Sequence, residues 1–224
     1  MALEFRRGEA EKAVVKLRRP YRRPGYPGSA ALFASIAAMF AVELRTAAPG
    51  NDAGLLRLGA LPDSGGLHHQ YWRLLTFGFL HSNLIHIVLN VALLIIAGPV
   101  VERRAGAWRV ILIFFAASVA SGVGIFLKHQ LWPSSGVSVG ASGGMFGLLA
   151  AALVLVFRAR SASRPARAGL LLVLCVGLAY SLLPGVSMVG HVIGLAVGAM
   201  LALAIHERST AEGPDFEDKV GGRR

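Results

Sequence analysis

The sequence predicts an all-α membrane protein: a bundle of six transmembrane helices with a long extracytoplasmic loop between helices 1 and 2. Three observations carry this. Hydrophobic residues make up 54% of the 224 positions and charged ones only 16%, a balance that suits a polytopic membrane chain better than one or two soluble domains. Six apolar runs can be drawn. Of the 23 Lys and Arg, nineteen lie before the first run, in Glu102–Arg109, in Arg158–Arg167 and in the tail from Arg208, leaving Arg45, Arg57, Arg73 and Lys128 elsewhere. That is the positive-inside distribution, with both termini cytoplasmic. It accounts for the net charge of +11 without any nucleic-acid partner.

In chain order, residues 1–28 read as a basic cytoplasmic tail, too charged and Pro-rich to be a cleavable signal. Residues 29–206 form the membrane domain, and 207–224 a second cytoplasmic tail. The first run spans about Ser29 to Leu44, with Glu43 and Arg45 at its exit. A long connection to about Leu80 carries Pro49, Pro62, Gly65-Gly66 and the interfacial stretch Tyr71-Trp72-Arg73-Leu74-Leu75. The second run spans about Asn83 to Val101, followed by a basic turn over Glu102–Gly106. The third covers about Trp108 to Leu127. The fourth, Ser142 to Phe157, is short for a crossing of roughly 20 residues, which is tolerable if it starts within a water-filled cavity. The fifth runs from about Ala168 to Leu183 and is stopped by Pro184-Gly185; the sixth runs from about Ser187 to His206. No internal repeat is evident, which argues against inverted-repeat transporters. Cys175 is the only cysteine, so neither an intramolecular disulfide nor a Cys-based metal site is possible.

Polar residues inside apolar spans need a reason, and usually mark function. Ser142, within Gly140-Ala141-Ser142-Gly143-Gly144, opens the fourth run beside unpaired helix N–H groups that favour developing negative charge. Its plainer role is a helix N-cap. His86 and Asn90, four apart on one face, can be interhelical glue, and His191 a satisfied interior histidine. Their arrangement suggests one site instead. His191 shares an arc with Gly190, Gly194 and Gly198, and Ser142 shares a face with Gly143 and Phe146. Such glycines let two helices approach closely enough for an Oγ–imidazole hydrogen bond. The chemistry is then nucleophilic: His191 takes the proton of Ser142, and the Ser142 N–H, His86 and Asn90 hold the oxyanion. No Asp or Glu lies at that depth, so the pair is a dyad, with Phe146 the natural stacking partner of the imidazole.

From about Tyr71 to Met200 the chain resembles the rhomboid intramembrane serine proteases. The resemblance rests on Trp72-Arg73 with His81, His86 and Asn90, on Glu102-x-Arg104 with Gly106, on Gly140-Ala141-Ser142-Gly143, and on His191 with Gly194 and Gly198. It implies a six-helix, cofactor-free bundle in the lipid bilayer that cleaves transmembrane protein substrates near their outer ends. It also implies that His81 supports the oxyanion hole. Phe146 stands where many members have Tyr, and Gly190 where Ala is common. An Arg/Ala/Gly-rich chain without an organelle address suggests a multi-pass protein of a bacterial inner membrane.

Other classes compete. Gly136-Val137-Ser138-Val139-Gly140 also fits G-x-S-x-G, but an α/β-hydrolase elbow needs a preceding strand and a parallel sheet that the pattern does not offer, so Ser138 reads as a flexible-loop residue. No His-Glu-x-x-His metalloprotease motif is present. A haem or metal protein using His86 and His191, and a transporter or channel, are the non-protease alternatives. His68, His69, His129 and His206 read as ordinary surface residues.

Overall fold

The computed structural model describes residues 25–159 and 162–205. The N-terminal tail up to residue 24, the C-terminal tail and His206 lie outside the described residues. Among those described, six helices have 17 residues or more: α1 (Pro27–Arg45), α4 (Leu84–Ala105), α5 (Ala107–Leu131), α6 (Ser142–Arg158), α7 (Arg164–Tyr180) and α8 (Met188–Ala204). Two short helices, α2 (Asp52–Leu58) and α3 (Arg73–Thr76), lie in the connection between α1 and α4. Three helices, α1, α4 and α5, are long and apolar enough to cross a membrane; α6 and α8 are shorter but also apolar.

Helix α6 is the centre of the bundle, with thirteen of its 17 residues buried. An apolar helix covered on every side is one surrounded by other helices, and α4, α5, α7 and α8 all pack on it. Small residues allow this. Gly194 lies against the Gly143 carbonyl and Gly198 against the Gly147 carbonyl, so close that a β-carbon at either would collide with backbone. Without a hydrophobic drive between helices in lipid, such backbone-to-backbone contact and the dispersion it permits hold the pair. Helix α7 is the opposite case, with Leu170 its one buried residue.

Helix α1 is tied at its N-terminus. Glu102 accepts hydrogen bonds from the Gly28 N–H (2.8 Å), the Ser29 N–H (2.8 Å) and the Ser29 hydroxyl (2.7 Å). A carboxylate there serves donors that the helix leaves unpaired and complements its positive end. Glu102 stands on α4, which continues through Arg103, Arg104 and Ala105 to break at Gly106, φ +97°. The basic turn expected over 102–106 is therefore helix up to its last residue. Helix-forming Glu, Arg and Ala extend the apolar run until only glycine suits the backbone.

The loops depart further from expectation. Strands β1 (Leu61–Pro62) and β2 (Val137–Ser138) pair antiparallel, with Leu61 opposite Ser138, and join the α1–α4 connection to the segment entering α6. Asp63 reinforces the joint: its carboxylate accepts from the Ser138 hydroxyl at 2.7 Å and lies 3.3 Å from His129 Nε2. His129 Nδ1 is 3.1 Å from Ser134 Oγ. Ser138 is thus paired rather than a flexible-loop residue, and His129, 6% exposed, is no surface residue. His68 and His69 are exposed, as expected.

Candidate active site

The chain reaches α6 through Gly140, whose φ of +136° suits only glycine. A β-carbon there would stand 2.7 Å from His86 Cε1 and Nε2, so the His86 ring lies directly on the Gly140 backbone. The Gly140 N–H donates to the Phe77 carbonyl at 3.0 Å, anchoring the turn. Ala141 is the residue preceding the helix and Ser142 is its first turn. Ser142 therefore does not cap the helix, and its hydroxyl is directed elsewhere: Oγ is 2.8 Å from His191 Nε2.

His191 lies in the first turn of α8, where Ser187 caps the helix by accepting from the Gly190 N–H at 3.2 Å. Its ring is 4% exposed. Phe146, one turn along α6 from Ser142, stacks on it with centroids 4.2 Å apart and planes 10° from parallel. Phe146 has room because position 177 is glycine; a β-carbon there would come within 2.8 Å of the ring. Nδ1 of His191 meets Ser181 Oγ at 2.5 Å, and the Ser181 hydroxyl also reaches the Gly177 carbonyl at 2.7 Å. Both ring nitrogens are thus engaged by serine hydroxyls.

Ser181 is the residue that sequence reasoning missed. It lies at the end of α7, three residues before Pro184, and is 3% exposed. The fifth apolar run reads as helix to Leu183, whereas α7 ends at Tyr180 and the chain turns back there. A serine near the close of an apolar run, just ahead of a Pro-Gly turn leading to a histidine, was the available signal.

His86 lies at the mouth of α6, with the His81 ring beside it and Asn90 one turn further along α4. Asn83 caps α4 by accepting from the His86 N–H at 2.9 Å. The Asn83 amide donates to Ser82 Oγ at 3.2 Å, and Ser82 Oγ also lies 3.2 Å from His86 Nδ1. Donation from that hydroxyl to Nδ1 would put the ring hydrogen on Nε2, the edge beside Gly140. Asn90 is 2% exposed, and its amide donates to the His86 carbonyl at 3.0 Å; the second amide hydrogen is uncommitted. His81 is fully buried, its ring 5.1 Å from that of His86 and its backbone N–H donating to Glu43 at 2.9 Å. Burial, and after it the neighbouring His86, pushes the His81 ring down to about 3, so it packs as a neutral group.

The family model for the Rhomboid domain matches residues 68–208. RHOMBOID-like protein 1 of Arabidopsis thaliana is 35% identical over 151 residues, covering 66% of this chain and 38% of that protein. Rhomboid protease GluP of Bacillus subtilis (strain 168) is 30% identical over 157 residues, covering 69% of this chain and 30% of that protein. Putative rhomboid protease YdcA of the same bacterium is 27% identical over 140 residues, or 62% and 69% of the two chains. The chain spans less than half the length of the first two.

Proposed function

Since the chain belongs to the rhomboid family, we propose that it is an intramembrane serine endopeptidase, acting on transmembrane protein substrates with Ser142 as nucleophile and His191 as general base. The observation that carries this reading is the 2.8 Å contact between Ser142 Oγ and His191 Nε2, under a stacked Phe146.

In the proposed reaction Ser142 Oγ bonds to the scissile carbonyl carbon as its proton passes to Nε2. The oxyanion that forms is held by the Ser142 N–H, by His86 Nε2–H and by the free hydrogen of the Asn90 amide. Each donor of this kind is typically worth about 3–4 kcal/mol of barrier. Collapse breaks the C–N bond, and the imidazolium returns its proton to the leaving amine. Water, deprotonated by His191, then attacks the acyl-serine and restores the enzyme. Gly140 supports the pocket by letting His86 lie against the backbone, and neutral His81 backs His86. No cofactor or metal enters any step.

The same reading takes all six long helices as crossings, with the α1–α4 connection outside and the tails in the cytoplasm. The clustering of Lys and Arg supports that orientation. For compartment, composition favours a bacterial inner membrane, whereas the Arabidopsis relatives weigh toward a plant source.

Fluorophosphonate labelling of the purified chain with mass mapping tests the proposal. Modification of Ser142, lost in Ser142→Ala and His191→Ala together with cleavage of a membrane-embedded reporter, is the expected result. Labelling at another serine, or cleavage by highly purified Ser142→Ala, overturns it.

A further inference from the structure

The imidazole of His191 can accept the proton of Ser142 at Nε2 only if the ring's own hydrogen sits on Nδ1. In a ring this buried that hydrogen needs an acceptor, or the tautomer is left to chance. A carboxylate often fills this place, but here the Nδ1 partner is Ser181 Oγ at 2.5 Å. Resting on the serine-protease reading above, we propose that Ser181 is a positioning residue for the catalytic imidazole, holding it in the Nδ1–H tautomer and fixing its tilt.

A hydroxyl has one hydrogen and two lone pairs, so the contact can run either way. If Ser181 donated to Nδ1, Nε2 would carry the ring hydrogen and could not act as a base. The structure offers that hydroxyl a competing acceptor, the Gly177 carbonyl, 2.7 Å away. This carbonyl sits in the last turn of α7 and accepts the Ser181 N–H at 3.0 Å as well, its two lone pairs serving both donors. With its hydrogen committed to Gly177, Ser181 presents a lone pair to Nδ1. The resulting relay runs Ser142 Oγ–H to Nε2, Nδ1–H to Ser181 Oγ, and Ser181 O–H to Gly177. Gly177 contributes twice, since the lack of a side chain there also admits the Phe146 ring that stacks on His191. The otherwise loosely packed α7 therefore reaches the site through one serine and one glycine.

The test uses the full chain in detergent or liposomes, with Ser181→Ala and Ser181→Thr. Ser181→Ala is expected to lower kcat by roughly tenfold, the scale of one lost hydrogen bond, with KM unchanged. Ser142 labelling should slow in parallel, and Ser181→Thr, which keeps the hydroxyl, should recover most of the rate. A second readout is the 15N spectrum of His-labelled protein, with His191 assigned by its loss in His191→Ala. Wild type should show the Nδ1–H tautomer, and Ser181→Ala a mixture. Unchanged kcat and tautomer in Ser181→Ala, or an Nε2–H tautomer in the wild type, overturns the proposal. If Ser181→Ala melts too low for kinetics, the wild-type spectrum still decides. Failure of the protease reading shows separately, as absence of Ser142 labelling in the wild type.

Discussion

The Phe146 ring lies parallel to the His191 imidazole, 4.2 Å away, and is itself 3% exposed. The stack confines the imidazole to one plane, which the 2.8 Å approach to Ser142 requires. Phe146→Leu keeps an apolar side chain of lesser volume but no flat face. We expect it to fold with a modest loss of melting temperature and to lose at least about tenfold in kcat through misorientation. Phe146→Tyr should retain most activity. Reporter cleavage and thermal melts of the same preparations check this, and equal kcat in Phe146→Leu would remove the ring from the positioning machinery.

The Gly143–Gly194 contact predicts a contrast between glycines. A β-carbon at Gly194 would run into the Gly143 carbonyl, whereas one at Gly169 on α7 meets nothing within 4 Å. Gly194→Val should separate α6 from α8 and cost about 1–3 kcal/mol, the usual scale of overpacking, with activity lost alongside. Gly169→Ala should be neutral or gain about 0.5–1 kcal/mol, as a freely accommodated helix glycine does. Melting temperatures of the two variants measure the difference; a neutral Gly194→Val would mean the backbones need not touch.

These two cases show what could be read ahead of the structure. Glycines at four-residue spacing on two apolar runs announce a close helix pair, and a hydroxyl and an imidazole at the same ends of those runs then meet. Apolar length announced α1, α4 and α5. The connections were opaque for a physical reason. Two-residue strands such as Leu61–Pro62 and Val137–Ser138 are too short for any periodicity, and their pairing joins distant parts of the chain. His129 reads as the polar end of a helix because its partner Asp63 lies in another loop. Ser181 was hidden by a helix end misplaced by three residues, since Leu182 and Leu183 continue the apolar run past the real turn.

The Asp63 joint leads to a prediction about the nucleophile's approach loop. Asp63 accepts from Ser138 and faces His129, so Asp63→Ala strands two partners at once. Residues 134–140, which lead into Ser142, should then exchange amide hydrogens faster, and labelling of Ser142 should slow several-fold. Ser138→Ala removes only one of the bonds and should have the smaller effect. Hydrogen exchange by mass spectrometry reads both; unchanged protection in Asp63→Ala would show that the β1–β2 pairing suffices alone.

Glu102 is the last case, and it separates charge from geometry. Its two oxygens accept three hydrogen bonds from Gly28 and Ser29, all at 2.7–2.8 Å, at a site only 7% exposed. Glu102→Ala leaves those donors buried at the start of α1, at a cost on the order of 3 kcal/mol. Gln is nearly the same shape, but one of its two termini is an amide group that donates. Its carbonyl oxygen can take the place of Oε2 and accept both Ser29 donors, but its NH2 then faces the Gly28 N–H, donor against donor. Glu102→Gln should therefore destabilise, though less than Glu102→Ala, with faster hydrogen exchange confined to the first turn of α1. Ser29→Ala, which loses only the hydroxyl bond, should cost about 1 kcal/mol. A fully stable Glu102→Gln variant would show that shape, rather than the second acceptor oxygen, holds α1 to α4.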